Sequence, residues 1–331
     1  MINRRDFVAG SAGGILTMAA GDLDVLLAAT RKNGNNPKVA LIKSRDRLTA
    51  IPRVIELLGV NPVRGKKVLL KPNFNTADPF PASTHNDTLT GLITKLKSMG
   101  AAGITIGERC GPPDTGEVIR AKDIEKLCQE HGSGLINFEE LADEDWIRVR
   151  PEESHWLDGF EVARPVLEAE SIVSTCCLKT HGYGGVFTMS LKLSVGITRK
   201  RNMTELHDSL FSMRKMIAEI NQVYSPGLIL MDGLDVFTDG GPAHGTLKKA
   251  GLMIAGTDRI AVDAVGLAVL KELGSNKKIM RTKIFEQEQI ARAVELGLGV
   301  SSPADIKIIT DDAVNRKYGD KLTGILAREV G

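Results

Sequence analysis

Residues 171–181 read SIVSTCCLKTH, an apolar run that leads into a lysine, a threonine and a histidine. A continuous run of small and β-branched residues is typical of a strand buried on both faces of a parallel sheet. We expect the strand to cover 171–176 and to end before Lys179, Thr180 and His181. Ligand-binding groups of open α/β sheets gather at the carboxyl ends of strands. The stretch therefore predicts a buried strand with a ligand site at its end.

More candidate ligands follow along the chain as far as His207. Gly184 and Gly185 come soon after the polar triplet, and the segment LKLSVGI then carries Lys192. A basic cluster precedes His207. Lysine binds phosphate or carboxylate as a point charge, and glycines let backbone amides approach an anion. This segment carries the densest set of candidate ligands, although it does not name a reaction.

The rest of the chain alternates strand-like and helix-like segments. Strands are predicted at 38–43, 67–71, 103–107, 134–138, 171–176, 227–233, 251–256 and 306–310. Helices are predicted at 50–58, 88–99, 117–131, 203–224, 259–273 and 283–296. Strands that alternate with helices indicate the α/β class, and we expect a mostly parallel, doubly wound sheet with helices on both faces.

Residues 143–162 differ from this pattern. They are charged, hold both tryptophans and predict a short antiparallel hairpin or a surface excursion. A boundary at this point would divide the domain at 31–331 into two lobes, 38–142 and 163–331.

Five of the predicted strands end in polar loops. The loops contain Lys71, Asn73 and Asn75; Arg109; Lys179, Thr180 and His181; Asp232 and Gly233; and residues 256–259. Polar residues are common in ordinary loops, but five such coincidences favour a real site. In a parallel sheet, all five loops would emerge at one edge and enclose a single crevice.

Two kinds of chemistry fit these loops. Lys71, Arg109, Lys179, Lys192 and the backbone of Gly184 and Gly185 would suit an anionic ligand. Alternatively, His181, His207 and Asp232 would bind a divalent metal or iron, with His85, His244 and Asp235 as further donors. For any single histidine, a hydrogen-bonding role is commoner than metal ligation. Asp232 and Gly233 also suit a plain turn, and Asp258 suits a helix N-cap.

Several motifs together resemble the domain of unknown function 362 family. They are LLKPNFN at 69–75, the triplet at 179–181, Phe187-Thr188, L-K-x-x-x-G with Lys192 and Gly196, MDGLD at 231–235, GGPAHG at 240–245 and AGTDRIAVDA at 255–264. The resemblance runs from about Lys38 to about Gly299 and favours His181 and His207 as site residues. It implies no particular activity, because the name of the family states that the function of the domain is unknown.

The chain also departs from the pattern of that family. Leu193 stands where the resemblance leads us to expect an asparagine, and Cys176 and Cys177 stand where it implies a leucine-proline-like pair. Some relatives carry a ferredoxin-like segment, which associates the family with iron–sulfur proteins, but this chain has no four-cysteine cluster motif. Lys192 and His181 match the pattern.

The first 30 residues predict an export signal. Asn3-Arg4-Arg5-Asp6-Phe7 matches the twin-arginine pattern, and the apolar run at 8–21 is shorter than the about 20 residues that span a bilayer. A soluble amphipathic arm is the alternative. The signal would direct the protein through the twin-arginine export machinery to the periplasm or another exported location. Export of a folded chain suggests a metal or redox cofactor.

Other classes of protein lack support in the sequence. The net charge of +2 leaves no nucleic-acid footprint, and no later segment is apolar enough for a membrane span. There is no nicotinamide motif, no phosphate-binding loop and no nucleophile elbow. A thiolate nucleophile at Cys110 is conceivable, but a structural cysteine is the commoner role.

Two functions therefore stay open. The first is an exported enzyme that binds a small anion with a metal or redox cofactor, with His181, His207 and Lys192 as catalytic groups. The second is a non-catalytic ligand-binding or cofactor-handling protein that uses the same pocket.

Overall fold

One large mixed sheet organises residues 37–328, the part of the chain that the structure, a computed structural model, describes. Its strand order is β11-β1-β10-β9-β7-β2-β3-β4, and β8 pairs with the end of β7. The strands are β1 (Lys38–Lys43), β2 (Lys67–Lys71), β3 (Gly103–Glu108), β4 (Gly134–Asn137), β5 (Trp146–Val149), β6 (Phe160–Ala163), β7 (Ser171–His181), β8 (Val186–Thr188), β9 (Leu228–Gly240), β10 (Gly245–Gly256) and β11 (Lys307–Ile309). The predicted signal segment, 1–30, lies outside the described residues.

Helices cover both faces of this sheet. They are α1 (Arg47–Leu58), α2 (Asn86–Ser98), α3 (Thr115–Ala121), α4 (Ile124–Glu130), α5 (Arg164–Leu167), α6 (Asn202–Asp208), α7 (Met213–Ile220), α8 (Arg259–Leu273), α9 (Lys277–Arg281), α10 (Glu288–Glu295) and α11 (Ala313–Ala327). None of these helices is long and apolar enough to cross a bilayer. The predicted α/β class with a mostly parallel sheet is confirmed.

Alternation along the strands builds the two sides of the core. Ala40 and Ile42 of β1 pack with α1 and α2, whereas Val39 and Leu41 pack with α8 and α11 on the other face. All eleven residues of β7 are buried, because this strand lies in the middle of the sheet with helices on both sides. This central position explains why the residues of β7 form the continuous apolar run from which a buried strand was predicted.

Strand direction corrects the prediction of five loops on one edge. Strands β9, β7, β2, β3 and β4 are all parallel, but β10 is antiparallel to both of its neighbours. The loop 256–259 after β10 therefore emerges at the opposite edge. There Asp258 caps α8 by accepting a hydrogen bond from the backbone N–H of Ala261 at 2.9 Å. The N-cap alternative for Asp258 is confirmed.

Strands β7 and β9 continue beyond the ends that the sequence predicts, and β10 begins at Gly245 rather than at residue 251. β7 continues through His181, because Lys179, Thr180 and His181 pair with the antiparallel strand β8. β9 continues to Gly240, so Asp232 and Gly233 lie inside the strand rather than in a turn at its end. In both cases a neighbouring strand supplies backbone partners that polar residues alone do not reveal.

The predicted helix at 203–224 is also wrong in part. It is divided into α6 and α7, because Ser209 leaves the helical conformation with ψ 52°. The predicted helix at 283–296 begins late, with α10 starting at Glu288 after a short 3-10 turn. The hairpin expected within 143–162 is confirmed as the antiparallel pair of β5 and β6. The division into two lobes stays a prediction.

A glycine at the turn between β9 and β10 lets this turn approach β7 closely. Gly241 has φ +77°, and a Cβ on it would lie 2.1 Å from the carbonyl oxygen of Thr180. The carbonyl of Gly241 also accepts a hydrogen bond from the N–H of Gly182 at 3.0 Å. Backbone would have to move before any side chain could fit at this position.

We predict that Gly241→Ala lowers the free energy of unfolding by about 4 kcal/mol or more, because the new Cβ collides with backbone. Gly65→Ala is the matched control, since Gly65 has φ +72° and nothing within 4 Å of an added Cβ. The control should lower the free energy of unfolding by only about 1–2 kcal/mol, the cost of the left-handed conformation for a residue with a Cβ. Urea unfolding of both variants measures the difference, and equal losses would contradict the close approach.

Candidate functional site

A cleft of about 640 Å³ opens at the carboxyl ends of β2, β3 and β7. Eight of the predicted site residues line it: Lys71, Asn73, Asn75, Arg109, Lys179, His181, Lys192 and His207. Thr180, Gly184, Gly185, Asp232 and Gly233 are not among its lining residues. Successive side chains of a strand point to opposite faces, which explains why Lys179 and His181 line the cleft and Thr180 does not.

The lysine at the end of β2 is paired inside the protein. The ammonium of Lys71 donates to the Glu108 carboxylate and, at 2.8 Å, to the carbonyl of Pro72. Glu108 also accepts hydrogen bonds from the N–H groups of Phe74 and Arg109, at 2.8 and 2.9 Å. Burial raises the pKa of Glu108 and lowers the pKa of Lys71, and each group opposes the shift of the other. Much of the charge of Lys71 is therefore already balanced.

The guanidinium of Arg109 is used largely to hold backbone. Its Nε donates to the carbonyl of Thr198 at 2.8 Å, and the terminal nitrogens donate to the carbonyls of Cys110 and Val195. Val195 belongs to a 3-10 helix, Lys192–Ile197, that forms one wall of the cleft. Arg109 thus fixes this wall while its positive charge remains beside the cleft.

Lys179 is held in a similar way. Its ammonium donates to the carbonyls of Ala82 and Pro242, the latter at 3.2 Å. Burial lowers the pKa of Lys179 to about 8. The neutral carbonyl dipoles around it compensate only part of the cost of burying a charge.

Lys192 differs from the other cationic residues of the cleft. Lys192 is partly buried, and its ammonium makes no hydrogen bond or ion pair with any residue between 37 and 328. Burial is the main cause that lowers the pKa of Lys192 to about 8, and the charges of Lys179 and Arg109 lower it further. The site therefore holds one amine without a protein partner, beside two other cations.

A buried aspartate positions the segment that carries Lys192. Asp263 of α8 is fully buried and accepts hydrogen bonds from the backbone N–H groups of Ser190 and Leu191, at 2.8 and 2.9 Å. Burial raises the pKa of Asp263 to about 7 in spite of these two donors. The sequence shows Asp263 only as an acidic residue among apolar neighbours, and its contact with Leu191 could not be read from it.

His181 and Thr188 bring two more polar atoms without partners to the cleft. His181 Nδ1 and Thr188 Oγ1 are buried and form no hydrogen bond with the described residues. Burial, followed by the charges of Lys192 and Lys179, lowers the pKa of His181 to about 2. The imidazole is therefore neutral at physiological pH, while Thr188, the second residue of the Phe-Thr motif, remains able to donate or accept.

Gly185 allows His181 and Lys192 to approach each other. A Cβ on Gly185 would lie 3.0 Å from both His181 Nδ1 and Lys192 Cε, so these two atoms are at most about 6 Å apart. The predicted role of Gly185 was to offer its backbone to an anion. The structure instead gives it a position where the absence of a side chain leaves room for two others.

His207 reaches the cleft from α6 on the side open to solvent. Its Nδ1 lies 2.7 Å from the carbonyl of Met203, so Nδ1 carries the proton and Nε2 is the free acceptor. His207 and His181 are close enough for the charge of one to affect the other. His181 is the buried imidazole of the cleft, and His207 is the imidazole exposed to solvent.

Asp232 does not join these histidines. Its carboxylate accepts hydrogen bonds from Arg47 Nε and Thr88 Oγ1, each at 2.7 Å, and from the N–H of Leu234 at 3.1 Å. No group of three or more histidine, cysteine or acidic residues among 37–328 could hold a metal ion. A metal at His181 and His207 would need further ligand atoms from another molecule.

His85 and Cys110 also have partners or environments that differ from the roles considered for them. His85 caps α2 by accepting a hydrogen bond from the N–H of Asp87 at 3.1 Å. Burial raises the pKa of Cys110 to about 12, which disfavours a thiolate nucleophile at this position.

Some lining residues were not predicted as ligands. Glu108, Thr188 and Lys200 line the cleft, and Lys200 is paired with Glu139 at 2.7 Å. Glu108 follows the apolar run of β3 directly, so its position at the strand end was visible in the sequence. Its pairing with Lys71 depends on the adjacency of β2 and β3, which the sequence does not specify.

Comparison with known proteins agrees with the resemblance found in the motifs. The sequence model of a family described as "Domain of unknown function (DUF362)" matches residues 68–268, more than half of the chain. The thylakoid-associated protein sll1697 of Synechocystis sp. is 22% identical over 215 residues, which cover 62% of this chain and 64% of that protein. The chain thus matches less than two thirds of that relative's length.

A solved structure also shows some likeness. The lactate racemase apoprotein from Thermoanaerobacterium thermosaccharolyticum aligns with 90% of this chain and 88% of its own, at 14% identity and a TM-score of 0.44.

We predict that Glu108→Ala lowers the free energy of unfolding by about 3–5 kcal/mol, because it leaves the buried ammonium of Lys71 without its carboxylate. Glu130→Ala is the control, since its ion pair with Lys126 lies on the surface and should contribute at most about 1 kcal/mol. Urea unfolding at pH 7 measures both values. A loss at Glu108 no larger than at Glu130 would show that the buried pair is not formed.

Proposed function

The chain belongs to the family of domain of unknown function 362, and we propose that it is an enzyme whose cleft binds a small anionic molecule. The single observation that carries the proposal is the unpaired ammonium of Lys192 beside Lys179 and Arg109. Lys192 is only partly buried and lines the cleft, so a bound anion can reach its ammonium. A carboxylate or phosphate in the cleft would supply the missing partner.

The charges around the cleft favour an anion over a cation. Lys71 is balanced by Glu108 and Lys200 by Glu139, whereas Lys179 and Lys192 have no carboxylate partner between residues 37 and 328. The positive field of these two amines and of Arg109 acts in a partly desolvated space, where electrostatic attraction is stronger than in water. Asn73 and Asn75 line the same cleft and would contribute amide groups to a bound molecule.

The catalytic part of the proposal depends on His181, His207 and Lys192. A bound anion would raise the pKa of His181 by adding a negative charge beside it, which would make the imidazole a better proton acceptor. His207 Nε2 is a second acceptor at the open side of the cleft. Non-catalytic binding in the same pocket is the alternative function, and recovery of every bound ligand unchanged after incubation would favour it.

A metal or redox cofactor is a second candidate component. The unpartnered Nδ1 of His181 favours it, because a neutral imidazole is a common metal ligand. Asp232 would not take part without breaking its bonds to Arg47 and Thr88. The bound anion would therefore have to complete the coordination of a divalent metal or iron.

We predict that Lys192→Met weakens the binding of propionate and inorganic phosphate by about 10- to 100-fold, the value of a charge-assisted hydrogen bond. The melting temperature should change little, because Lys192 is partly exposed and has no ion pair with residues 37–328 to lose. Wild-type affinity should fall as the pH rises through about 8, because Lys192 then loses its proton. Calorimetric titration and thermal melts measure these effects.

Lys126→Met is the matched control, since Lys126 is an exposed lysine on α4 and its loss should leave affinity unchanged. Equal affinity of the Lys192→Met and wild-type proteins for both anions would contradict the proposal. Elemental analysis of protein purified from its own host, with and without a chelator, tests the metal component. A metal-free sample that still binds anions would remove the metal and leave the anion site.

We also propose that the protein is exported through the twin-arginine machinery. The support is the pattern Asn3-Arg4-Arg5-Asp6-Phe7 and the short apolar run that follows it. The double substitution Arg4→Lys and Arg5→Lys should retain the protein in the cytoplasm, because the paired arginines are read by the export receptor. Cell fractionation and immunoblotting measure this distribution. Arg31→Lys, outside the motif, should leave export unchanged, and export of the double variant would contradict the proposal.

A further inference from the structure

The four lysines that line the cleft differ in whether their amines are occupied. Lys71, Lys179 and Lys200 each donate hydrogen bonds to a carbonyl, and two of them also contact a carboxylate. Lys192, the first residue of the 3-10 helix, makes no such contact with residues 37–328. An amine with no acceptor to satisfy is free to react with a bound molecule.

The surroundings of Lys192 favour the neutral form of its amine. Leu193, Val195 and Met203 give the cleft an apolar wall, and the charges that affect Lys192 are those of Lys179 and Arg109. With a pKa of about 8, about half of the amine is unprotonated at pH 8. An ordinary lysine, with a pKa of about 10.4, is less than about 1% unprotonated there. Neutral lysine amines are nucleophiles toward carbonyl carbons.

Two polar side chains without partners among the described residues share the cleft with this amine. His181 Nδ1 lies at most about 6 Å from Lys192 Cε and has no hydrogen-bond partner among the described residues. Thr188 Oγ1 is a second buried polar atom of the same cleft without a partner. Condensation of an amine with a carbonyl needs a proton delivered to the departing oxygen, and the hydroxyl of Thr188 or solvent water in the open cleft would relay it.

We propose that Lys192 forms an imine with the carbonyl carbon of an anionic aldehyde or ketone, such as a 2-oxo acid, bound in this cleft. The inference rests on the proposed anion-binding function and names its substrate class. The Nζ lone pair attacks the carbonyl carbon, and the carbonyl oxygen takes a proton to give a carbinolamine. Loss of that oxygen as water then forms the C=N bond. One carbonyl and one amine give one imine and one water, without an oxidant or reductant.

The test is reductive trapping with glyoxylate, an aldehyde that carries a carboxylate, in the presence of cyanoborohydride at pH 8. Hydride reduction of the imine would leave a carboxymethyl group on Lys192 and prevent tryptic cleavage after it. Mass spectrometry should therefore find a modified peptide spanning residues 180–199. We expect labelling of Lys192 to exceed that of exposed Lys126 by at least about tenfold, in proportion to the neutral amine.

Three comparisons sharpen the result. Glycolaldehyde, which has no charge, should label Lys192 less than glyoxylate does, and propionate should reduce labelling by glyoxylate. Lys192→Arg should bind propionate but yield no modified peptide, because a guanidinium keeps the charge and does not form the imine. Labelling should rise with pH through about 8, whereas the affinity for propionate should fall.

The outcomes separate the imine from the anion site. Binding of propionate together with Lys192 labelling no greater than that of Lys126 would overturn the imine and leave the proposed function standing. Preferential labelling of Lys71 or Lys179 would also overturn it. If neither propionate binding nor preferential labelling occurs, both proposals fail.

Discussion

The cleft depends on one buried carboxylate, that of Glu108 at the end of β3. It accepts hydrogen bonds from the ammonium of Lys71 at the end of β2 and from the backbone N–H groups of Phe74 and Arg109. These contacts join two neighbouring strand ends and the loops that leave them. Arg109 extends the connection, because its guanidinium binds the carbonyls of Thr198 and Val195. Glu108 and its neighbour Arg109 therefore connect the ends of β2 and β3 with the 3-10 helix that forms one wall of the cleft.

A second acid fixes the same wall from the opposite side. Asp263 of α8 holds the backbone of Ser190 and Leu191 directly before Lys192. Asp263 accepts both hydrogen bonds from backbone N–H groups. These bonds fix the backbone from which the Lys192 side chain extends, and they do not involve its amine. The two buried acids hold backbone, whereas His181 Nδ1 and the amine of Lys192 have no hydrogen-bond partner among residues 37–328.

The sequence predicts where the site lies better than it predicts which residues form it. Lys179 and His181 were found because an apolar run ends in polar residues, and that pattern reflects burial. Asp232 looked equivalent by the same criterion, but β9 continues past it and Arg47 occupies its carboxylate. The loop after β10 failed for another reason. A strand's own residues do not reveal its direction, and β10 runs antiparallel to its neighbours.

Leu193, which departs from the family pattern, contributes to the surroundings of Lys192. The family resemblance implies an asparagine there, whereas Leu193 is buried and lines the cleft next to Lys192. An asparagine at this position would add an amide, with a donor and an acceptor, to the lining of the cleft. A leucine offers neither, and it makes the wall more apolar, which favours the neutral amine. Leu193 therefore adds apolar surface beside an amine that, in the two proposals above, holds an anion when charged and attacks a carbonyl when neutral.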